Sequence, residues 1–493
     1  MSQVYRQIFK NTSLIGGSAF INILIGMIRT KFIAVLLGPT GIGLMGIYDS
    51  LTVTFSTFWG FGLSTSGVRQ IAMVKNLNAP LKEAAVIKSL QTALFWLGML
   101  GMFCMLLLSS LLSQWSFGNK DYTLAIAALS LTVLLNSIAS GQNSVLQGCR
   151  CISVIAQKNT IGPLIATALV IPCYYFWRQN GIVIGMIIYS SVYLAISCYY
   201  VRKQKLPSQA IAFGKQFHEI CTMLQLGCCL MISGFLTMLC NYIVIVLMVR
   251  YLGLSDRGIY QAAMTLSSIL IGFVLNAMAT DYYPRLSECI HHRAKLYESV
   301  NTQIAISILL GLPLLLGICI FSPIAILLLY TAEFAPTQYL IPFFLIGMLG
   351  KLFALPLGYI ILARGEGRIY LFTEVVQNML SLGTMYLGII FYGIWGAAIA
   401  FSLSSILYLG QIIVVVFLRY HFVLSRFVWG QMFLGIALLS CGASCLLIKN
   451  CWLYYSIGST FFVIVVIGCF LQLQKKLEIN LLRMIKDKLE FIG

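Results

Sequence analysis

The sequence contains one turn twice, as Leu37-Gly38-Pro39-Thr40-Gly41-Ile42-Gly43 and, 215 residues later, as Leu252-Gly253-Leu254-Ser255-Asp256-Arg257-Gly258. Both copies have the pattern L-G-x-x-x-x-G, and each follows a long apolar run and opens the next one. The apolar runs that follow end at matching basic residues, Arg69 and Arg285. A turn that recurs in the same context predicts two related helical bundles, as in transporters built from repeats.

The composition around these turns is that of a membrane protein. Of the 493 residues, 60% are apolar and only 9% are charged, whereas soluble chains are roughly 45–50% apolar and 25% charged. A membrane-spanning helix needs roughly 20 apolar residues, and the apolar runs of this chain number about 14. The sequence therefore predicts an all-α polytopic membrane protein with about 14 transmembrane helices. It excludes a soluble enzyme and leaves no room for a folded domain outside the membrane.

The basic residues are distributed unevenly between the loops. The chain has 32 Lys and Arg against 14 Asp and Glu, a net charge of +18. With the N-terminus inside, 24 of the 32 fall on the cytoplasmic side, a group in which we count Lys158, and five fall outside. Because cytoplasmic loops of membrane proteins are rich in Lys and Arg, this asymmetry predicts that both termini are cytoplasmic. It also explains the positive charge without nucleic-acid binding.

The longest polar connector among the early loops separates two sets of six helices. The predicted organisation is an N-terminal lobe with helices 1–6 over 1–201, a cytoplasmic linker over 202–219, a C-terminal lobe with helices 7–12 over 220–419, additional helices 13–14 over 420–472, and a cytoplasmic amphipathic tail over 473–493. In the tail, apolar residues at helical spacing alternate with basic ones, a pattern typical of a helix lying on the inner leaflet.

Charged residues inside the spans are candidates for function, because burying them in lipid is costly. Counting about 1.5 Å per residue places Arg29 roughly 13 Å and Asp49 roughly 12 Å from the same end of neighbouring helices. The two residues form either a structural ion pair or a cationic site whose availability depends on Asp49. Lys31, roughly 10 Å from that end, either belongs to the same cavity or extends outward to the membrane surface.

The second half of the chain has its own candidates. Lys351 lies near the middle of its span with no carboxylate within one helical turn, which favours a water-filled lumen. Glu374 either pairs with a basic group, carries a coupling ion or reaches the headgroups. Arg69, Asp281 and Arg285 lie at inner ends of spans, where they form either an inner gate or an ordinary interfacial cluster.

The charges deep in the membrane indicate an anionic ligand. Three cations oppose one deep anion, and Arg and Lys suit phosphate groups. Tyr48, Phe58 and Trp59, at similar depth, either pack on sugar rings or form part of the core. The sequence has no P-loop, no set of catalytic residues and no cysteine or histidine pattern typical of a metal site. We therefore expect no cofactor, with transport coupled to H+, Na+ or the membrane potential.

Several of these segments resemble a known family. They are Asn11-Thr12-Ser13, Arg29-Thr30-Lys31, the first glycine turn, Lys351, Gly358-Tyr359, Leu362-Ala363-Arg364-Gly365 and Thr373-Glu374. Over most of residues 1–420 the chain is similar to the Wzx-type O-antigen translocases, the polysaccharide transporter branch of the MOP superfamily, which also includes MATE exporters and lipid II flippases. The resemblance implies a cationic lumen, and Arg29, Asp49, Lys351 and Glu374 fall where such translocases have polar lumen groups. We predict Lys31 as a further residue of this lumen.

The resemblance also implies a function. It predicts a flippase of the bacterial inner membrane that moves undecaprenyl-pyrophosphate-linked O-antigen or related repeat units to the periplasmic leaflet by alternating access. The partners would be this lipid-linked oligosaccharide, membrane lipids, a polysaccharide polymerase and a chain-length regulator. An ion-coupled multidrug or metabolite antiporter of MATE-like architecture is the alternative. A membrane-embedded glycosyltransferase or polymerase is disfavoured by the short external loops.

Overall fold

Long helices form nearly all of the structure. The computed structural model describes residues 2–76, 80–149, 151–204, 213–289, 293–446, 448 and 450–477, and this part contains thirteen α-helices, one short 3-10 turn and no strand. The helices are α1 (Ser2–Gly60), α2 (Leu63–Asn76), α3 (Pro80–Leu107), α4 (Ser109–Phe117), α5 (Thr123–Gly148), α6 (Ile152–Trp177), α7 (Asn180–Lys203), α8 (Phe213–Cys289), α9 (Arg293–Leu329), α10 (Thr337–Ala363), α11 (Gly367–Tyr420), α12 (Arg426–Cys445) and α13 (Cys451–Leu477).

Eleven helices in the described part of the chain are long and apolar enough to cross a membrane. Helices suit this environment because they satisfy every backbone hydrogen bond within the segment, where lipid offers no partner. The predicted all-α, multi-pass membrane protein is confirmed. The number of 14 spans stays a prediction, since three of the eleven helices contain an internal break.

Each break falls on a glycine with positive φ. Gly38, in α1, has φ 64° and ψ −165°, and Gly253, in α8, has φ 89° and ψ 174°. Gly393, in α11, has φ 59° and ψ −135°. Glycine adopts this region without the steric cost that a Cβ would impose. The breaks divide α1, α8 and α11 into a first and a second arm each.

The break in α11 forms a tight hairpin at Tyr392-Gly393, the two residues that separate two long apolar runs of the sequence. A Cβ placed on Gly396 would lie 1.9 Å from the carbonyl oxygen of Gly388. In a continuous helix these two residues would be about 12 Å apart along the axis. The arms therefore turn back on each other, with glycine on both sides of the closest approach.

The two repeated turns pack against each other reciprocally. A Cβ on Gly43 would lie 2.1 Å from the carbonyl oxygen of Leu254, and a Cβ on Gly258 would lie 1.9 Å from that of Pro39. The last glycine of each turn thus makes room for the backbone of the other turn. This contact gives a physical reason why the motif ends in glycine in both copies.

The described chain divides into two compact units. The first contains residues 1–258 and 329–331, and the second contains 259–328 and 332–493. In the first unit α1 packs against α5 and α6, α3 against α5, and α6 against α7; in the second, α10 packs against α11 and α12.

This division into two units does not test the predicted bounds of the lobes, the linker and the tail. The predicted lobes, 1–201 and 220–419, stay a prediction. Residues 205–212 of the predicted linker and 478–493 of the predicted tail lie outside the described residues.

Candidate functional site

Arg29 and Asp49 lie on the two arms of α1, within the first unit. The Arg29 guanidinium carbon lies 4.9 Å from the centroid of the Tyr189 ring, and its buried Nε has no hydrogen-bond partner. Arg29 acts electrostatically on the accessible Asp49 carboxylate. In the part of the chain that the structure describes, however, no ion pair within 4 Å joins the two. The arrangement favours the second alternative. Arg29 is a cationic site whose guanidinium Asp49 attracts without forming an ion pair, so the guanidinium stays available to a ligand.

The side chain of Lys31 binds a backbone carbonyl group. Its half-buried ammonium donates a hydrogen bond to the carbonyl oxygen of Tyr330 at 2.5 Å. Tyr330 directly follows the last residue of α9, so Lys31 satisfies a carbonyl at a helix end. Of the two alternatives, this contact favours extension toward the end of a helix over a place in a ligand cavity.

Lys158, which the charge count assigns to the cytoplasmic side, lies six residues into α6, inside a candidate span, and is 0% exposed. Its assignment to that side stays a prediction. Its Nζ donates to Asn143 Oδ1 at 2.9 Å and to the Tyr193 hydroxyl at 3.1 Å. The ammonium also lies 4.6 Å from the centroid of the Tyr193 ring. The signal for its place in a span was in the sequence, since the apolar run around Lys158 begins at about residue 154.

A second polar contact lies next to Asn143, the residue that accepts from Lys158. Gln91 Nε2, on α3, donates to Gln142 Oε1, on α5, at 3.0 Å. Gln142 directly precedes the Asn143 that accepts from Lys158. Polar side chains of α3, α5, α6 and α7 thus pair with one another inside the first unit, as hydrogen bonding between membrane helices requires.

Lys351 lies in the second unit, on a helix that is otherwise almost completely buried. From Phe344 to Ile361 every residue of α10 is buried except Ile346, Lys351, Leu355 and Tyr359. The last three of these are four residues apart and therefore share one face of the helix.

The ammonium of Lys351 has one favourable contact. Its Nζ lies 4.8 Å from the centroid of the Phe401 ring, an arrangement that stabilises a cation by roughly 0.5–2 kcal/mol. Within the described residues it makes neither a hydrogen bond nor an ion pair. Because an ammonium has three donors, Lys351 presents all three to whatever occupies the accessible face of α10.

Glu374 lies inside the α11 hairpin. Its Oε1 accepts a hydrogen bond from the Tyr408 hydroxyl at 3.2 Å, and Gln411 Nε2 donates to the carbonyl oxygen of Thr373 at 3.0 Å. Tyr408 and Gln411 are on the second arm, Glu374 and Thr373 on the first. Among the described residues, Glu374 therefore pairs with the opposite arm of the hairpin and not with a basic residue.

The residues proposed for an inner gate are only partly described. Arg69 is exposed on α2. Asp281 and Arg285 fall within α8, but their side chains lie outside the described residues. The inner gate stays a prediction.

The aromatic candidates for sugar binding pack within the protein. Tyr48 is 2% exposed and meets Phe117 edge to face at 6.1 Å between ring centroids. Phe58 packs against Trp59 at 5.6 Å and against Phe235 at 4.7 Å. These contacts favour the core alternative for Tyr48 and place Phe58 and Trp59 in an apolar cluster.

The four cations described above fall into two pairs. Arg29 and Lys351 have donors without an acceptor among the described residues, whereas Lys31 and Lys158 donate hydrogen bonds to protein groups. Donors of this kind bind anionic oxygens, with Arg able to bind phosphate through two parallel hydrogen bonds. Among the described residues no group of three His, Cys, Asp or Glu side chains could hold a metal ion.

Sequence comparison identifies related proteins over most of the chain. The lipid III flippase of Escherichia coli (strain K12) is 21% identical over 396 residues, which cover 79% of this chain and 94% of the relative. A putative O-antigen transporter of Shigella flexneri is 22% identical over 390 residues, 78% of this chain and 91% of the relative.

Solved structures show the same fold. The lipid II flippase MurJ in its inward closed conformation aligns with a TM-score of 0.70 at 12% identity, covering 94% of this chain and all of that one. An inward-facing multidrug MATE transporter of the MOP superfamily aligns with a TM-score of 0.66 at 14% identity, covering 81% and 94%. The model of the family described as "polysaccharide biosynthesis protein" matches residues 32–338. With more than half of its length matched, the chain belongs to this polysaccharide biosynthesis family and has the fold of the MOP-superfamily transporters.

Proposed function

We propose that the protein is a flippase for undecaprenyl-pyrophosphate-linked oligosaccharides, the repeat units of O-antigen or a related surface polysaccharide. It would act as a transporter, not an enzyme, in the bacterial inner membrane with both termini cytoplasmic. The family, the two flippase and transporter relatives and the fold shared with a lipid II flippase support this class.

The proposal rests mainly on Lys351, whose ammonium has no hydrogen-bond acceptor among the described residues. A lysine at mid-span with three open donors is costly unless water or an anion meets it. A lipid-linked diphosphate supplies several anionic oxygens for such a donor, and its sugars suit the same wet environment. A cationic drug would be repelled by this residue.

Arg29 gives the first unit a cation of its own. Its Nε lacks a partner, and Asp49 attracts the guanidinium without forming an ion pair. In the proposed mechanism Arg29 and Lys351 each bind an anionic or polar group of the substrate, while the prenyl chain stays on the membrane-facing side of the protein. Asp49 competes for Arg29 and so promotes release as the transporter alternates between its inward and outward states.

Energy for the cycle would come from H+, Na+ or the membrane potential. The accessible Asp49 carboxylate is the group we propose to take up a coupling proton or ion, because it has no hydrogen-bond donor of its own among the described residues. Neutralising it would end its competition for Arg29. Transport in energised and de-energised vesicles, with each gradient removed in turn, tests this step.

The decisive experiment measures undecaprenyl-linked sugars and surface polysaccharide in cells that lack the gene. A translocation block predicts accumulation of complete lipid-linked repeat units together with loss of the surface polymer. Wild-type protein supplied in trans should reverse both changes, and the Lys351→Glu protein, present in equal amount, should reverse neither.

The antiporter alternative makes the opposite prediction. Cells lacking an exporter would keep normal lipid-linked sugars and normal surface polymer, and would accumulate drugs or metabolites. Unchanged lipid-linked sugars would therefore overturn the flippase proposal.

A further inference from the structure

An apolar groove lies on the first unit, apart from the charged residues described above. Its cavity volume is about 320 Å³. The second arm of α1, the end of α3 with α4, and the first arm of α8 form its walls, and the lining side chains include Phe58, Trp59, Leu111 and Leu239. A dry apolar cavity of roughly 150 Å³ can hold a benzene molecule, so the groove has room for a longer piece of hydrocarbon.

The groove is open, and six of its thirteen lining residues are aromatic. Phe58 packs against Phe235 from the opposite wall at 4.7 Å, and Trp115 meets Tyr242 edge to face at 6.0 Å. Leu111 is 62% exposed. These ring contacts join the wall formed by α8 to the walls formed by α1 and α4.

One end of the groove carries a fixed positive charge. A second cavity of about 460 Å³ shares Leu111 and Trp115 with the groove and is also lined by Gln114 and Arg250. Arg250 Nε donates to the Trp115 carbonyl at 2.7 Å, and Nη2 donates to the Gln114 carbonyl at 2.5 Å. These bonds hold the exposed guanidinium at the end of α4 and leave both hydrogens of Nη1 free for an anion.

The depth of the groove matches one leaflet. Tyr242 lies eight residues before Arg250 on the same arm of α8, and Phe235 lies fifteen before it. At about 1.5 Å per residue these positions are about 12 and 22 Å from Arg250, while half of a bilayer's hydrocarbon core is about 15 Å thick. With its headgroup region included, one leaflet is about 20–22 Å thick, so a groove of this length would run from the level of Arg250 and the glycine turns to about the middle of the membrane.

We propose that this groove binds the polyprenyl chain of a diphosphate-linked lipid, with Arg250 bound to its diphosphate. The charge complementarity is direct, since one strongly anionic headgroup meets a pre-positioned guanidinium at the mouth of an apolar channel. The charge count places this end on the external side, so the groove would hold the lipid after translocation. The inference rests on the proposed function for the identity of the lipid.

The test uses the full-length protein in lipid nanodiscs and a photoreactive polyprenyl diphosphate. Labelled peptides should come from the segments around Leu111–Trp115 and Phe235–Tyr242. Labelling should fall about tenfold in Arg250→Gln, which removes a charge-assisted hydrogen bond, and by a similar factor in Leu111→Trp, which fills the groove.

Leu107→Trp is the matched control. Leu107 is 79% exposed, four residues from Leu111, and does not line the groove. The same substitution there should leave labelling within about twofold of the wild type. A monodisperse size-exclusion profile establishes that each variant has folded.

Competition on the unmodified protein keeps the test independent of the variants. Unlabelled polyprenyl diphosphate should abolish groove labelling, and an equal amount of phosphatidylglycerol should not. Equal competition by the two lipids would overturn the proposal by showing an ordinary lipid contact, as would labelling confined to other segments.

The cell assay separates the two proposals. Accumulated lipid-linked sugars with probe labelling outside the groove would reject the groove and keep the flippase. Groove labelling with unchanged lipid-linked sugars would keep the lipid site and reject the flippase.

Discussion

Two lysines inside membrane helices, one in each unit, meet opposite environments. Lys158 is 0% exposed and donates to Asn143 and Tyr193. Lys351 is partly exposed and, in the described part of the chain, has the Phe401 ring as its favourable contact. Both charges lie in candidate membrane spans, Lys158 six residues from the start of α6 and Lys351 near the middle of α10, and either charge is costly there without a partner. What differs is whether the protein or another molecule satisfies the ammonium.

The difference separates a structural charge from one available to a ligand. Removing a partner from a buried donor or acceptor costs about 1–3 kcal/mol, so Lys158 and its two acceptors stabilise the fold as a set. Lys351 offers its donors to the accessible face of α10, and its removal leaves no protein acceptor unpaired. Substitutions at the two sites should therefore affect different measurements.

The largest effect is expected from Lys351→Glu. Reversing the charge replaces attraction of an anionic substrate with repulsion, and the loss of two charge-assisted hydrogen bonds corresponds to about a 100-fold fall in transport. Surface polysaccharide measured in cells lacking the native gene should be nearly absent. The amount of protein in the membrane should stay close to that of the wild type.

Lys351→Arg is the matched control, because it keeps the positive charge at the same position. We expect it to retain a substantial part of the activity. Loss of the protein from the membrane in Lys351→Glu would contradict a ligand-binding role and would make Lys351 a structural residue like Lys158.

Lys158→Met should destabilise the protein without abolishing transport by the molecules that fold. The substitution leaves Asn143 Oδ1 and the Tyr193 hydroxyl without their shared donor, which costs about 2 kcal/mol. Thermal unfolding of the purified protein in detergent should show a lower midpoint, and less protein should reach the membrane. If transport per folded molecule fell as steeply as in Lys351→Glu, the comparison between the two lysines would fail.

Much of the fold could be predicted from local features of the sequence. The apolar runs, the positive-φ turns at Gly38 and Gly253 and the hairpin at Gly393 follow from composition and from glycine at the breaks. These features depend on residues that are close together in the chain. The packing of Gly43 against Leu254 needed the structure, although the repeated motif indicated that the two turns correspond.

The partners of the charged residues could not be predicted in the same way. Lys31 donates to Tyr330, a residue 299 positions away. Lys158 has acceptors on α5 and α7, the helices on either side of its own in the chain. Neither acceptor can be recognised from a pattern, because Asn and Tyr occur throughout the chain. Sequence position identified Arg29, Lys31 and Lys351 as costly charges but not Lys158, and only tertiary contacts show which of the four the protein satisfies.

Asp49→Asn should have a smaller effect than either lysine substitution. Because the Asp49 carboxylate attracts Arg29 without binding it, removing its charge makes Arg29 more available to an anion. The expected result is tighter substrate binding, a transport rate reduced by about threefold through slower release, and loss of the response to the ion gradient that Asp49 is proposed to couple. Binding of the lipid-linked substrate to purified protein, compared with Arg29→Gln, checks the direction: the Asn variant should bind more tightly and the Gln variant less tightly. Weaker binding in both would indicate that Asp49 supports the site directly.

The smallest effect is expected from Glu374→Gln, at the opposite end of the comparison from Lys351→Glu. The amide oxygen of Gln can still accept the Tyr408 hydroxyl, so the contact between the arms of the α11 hairpin is preserved and transport should stay within about twofold of the wild type. Tyr408→Phe removes that hydrogen bond and should lower the free energy of unfolding by about 1 kcal/mol, again with transport retained. The pair distinguishes two roles for the carboxylate. If Glu374→Gln abolished transport while Tyr408→Phe did not, the charge of Glu374 would be needed for more than holding the hairpin, and the ion-coupling site would move from Asp49 to the second unit.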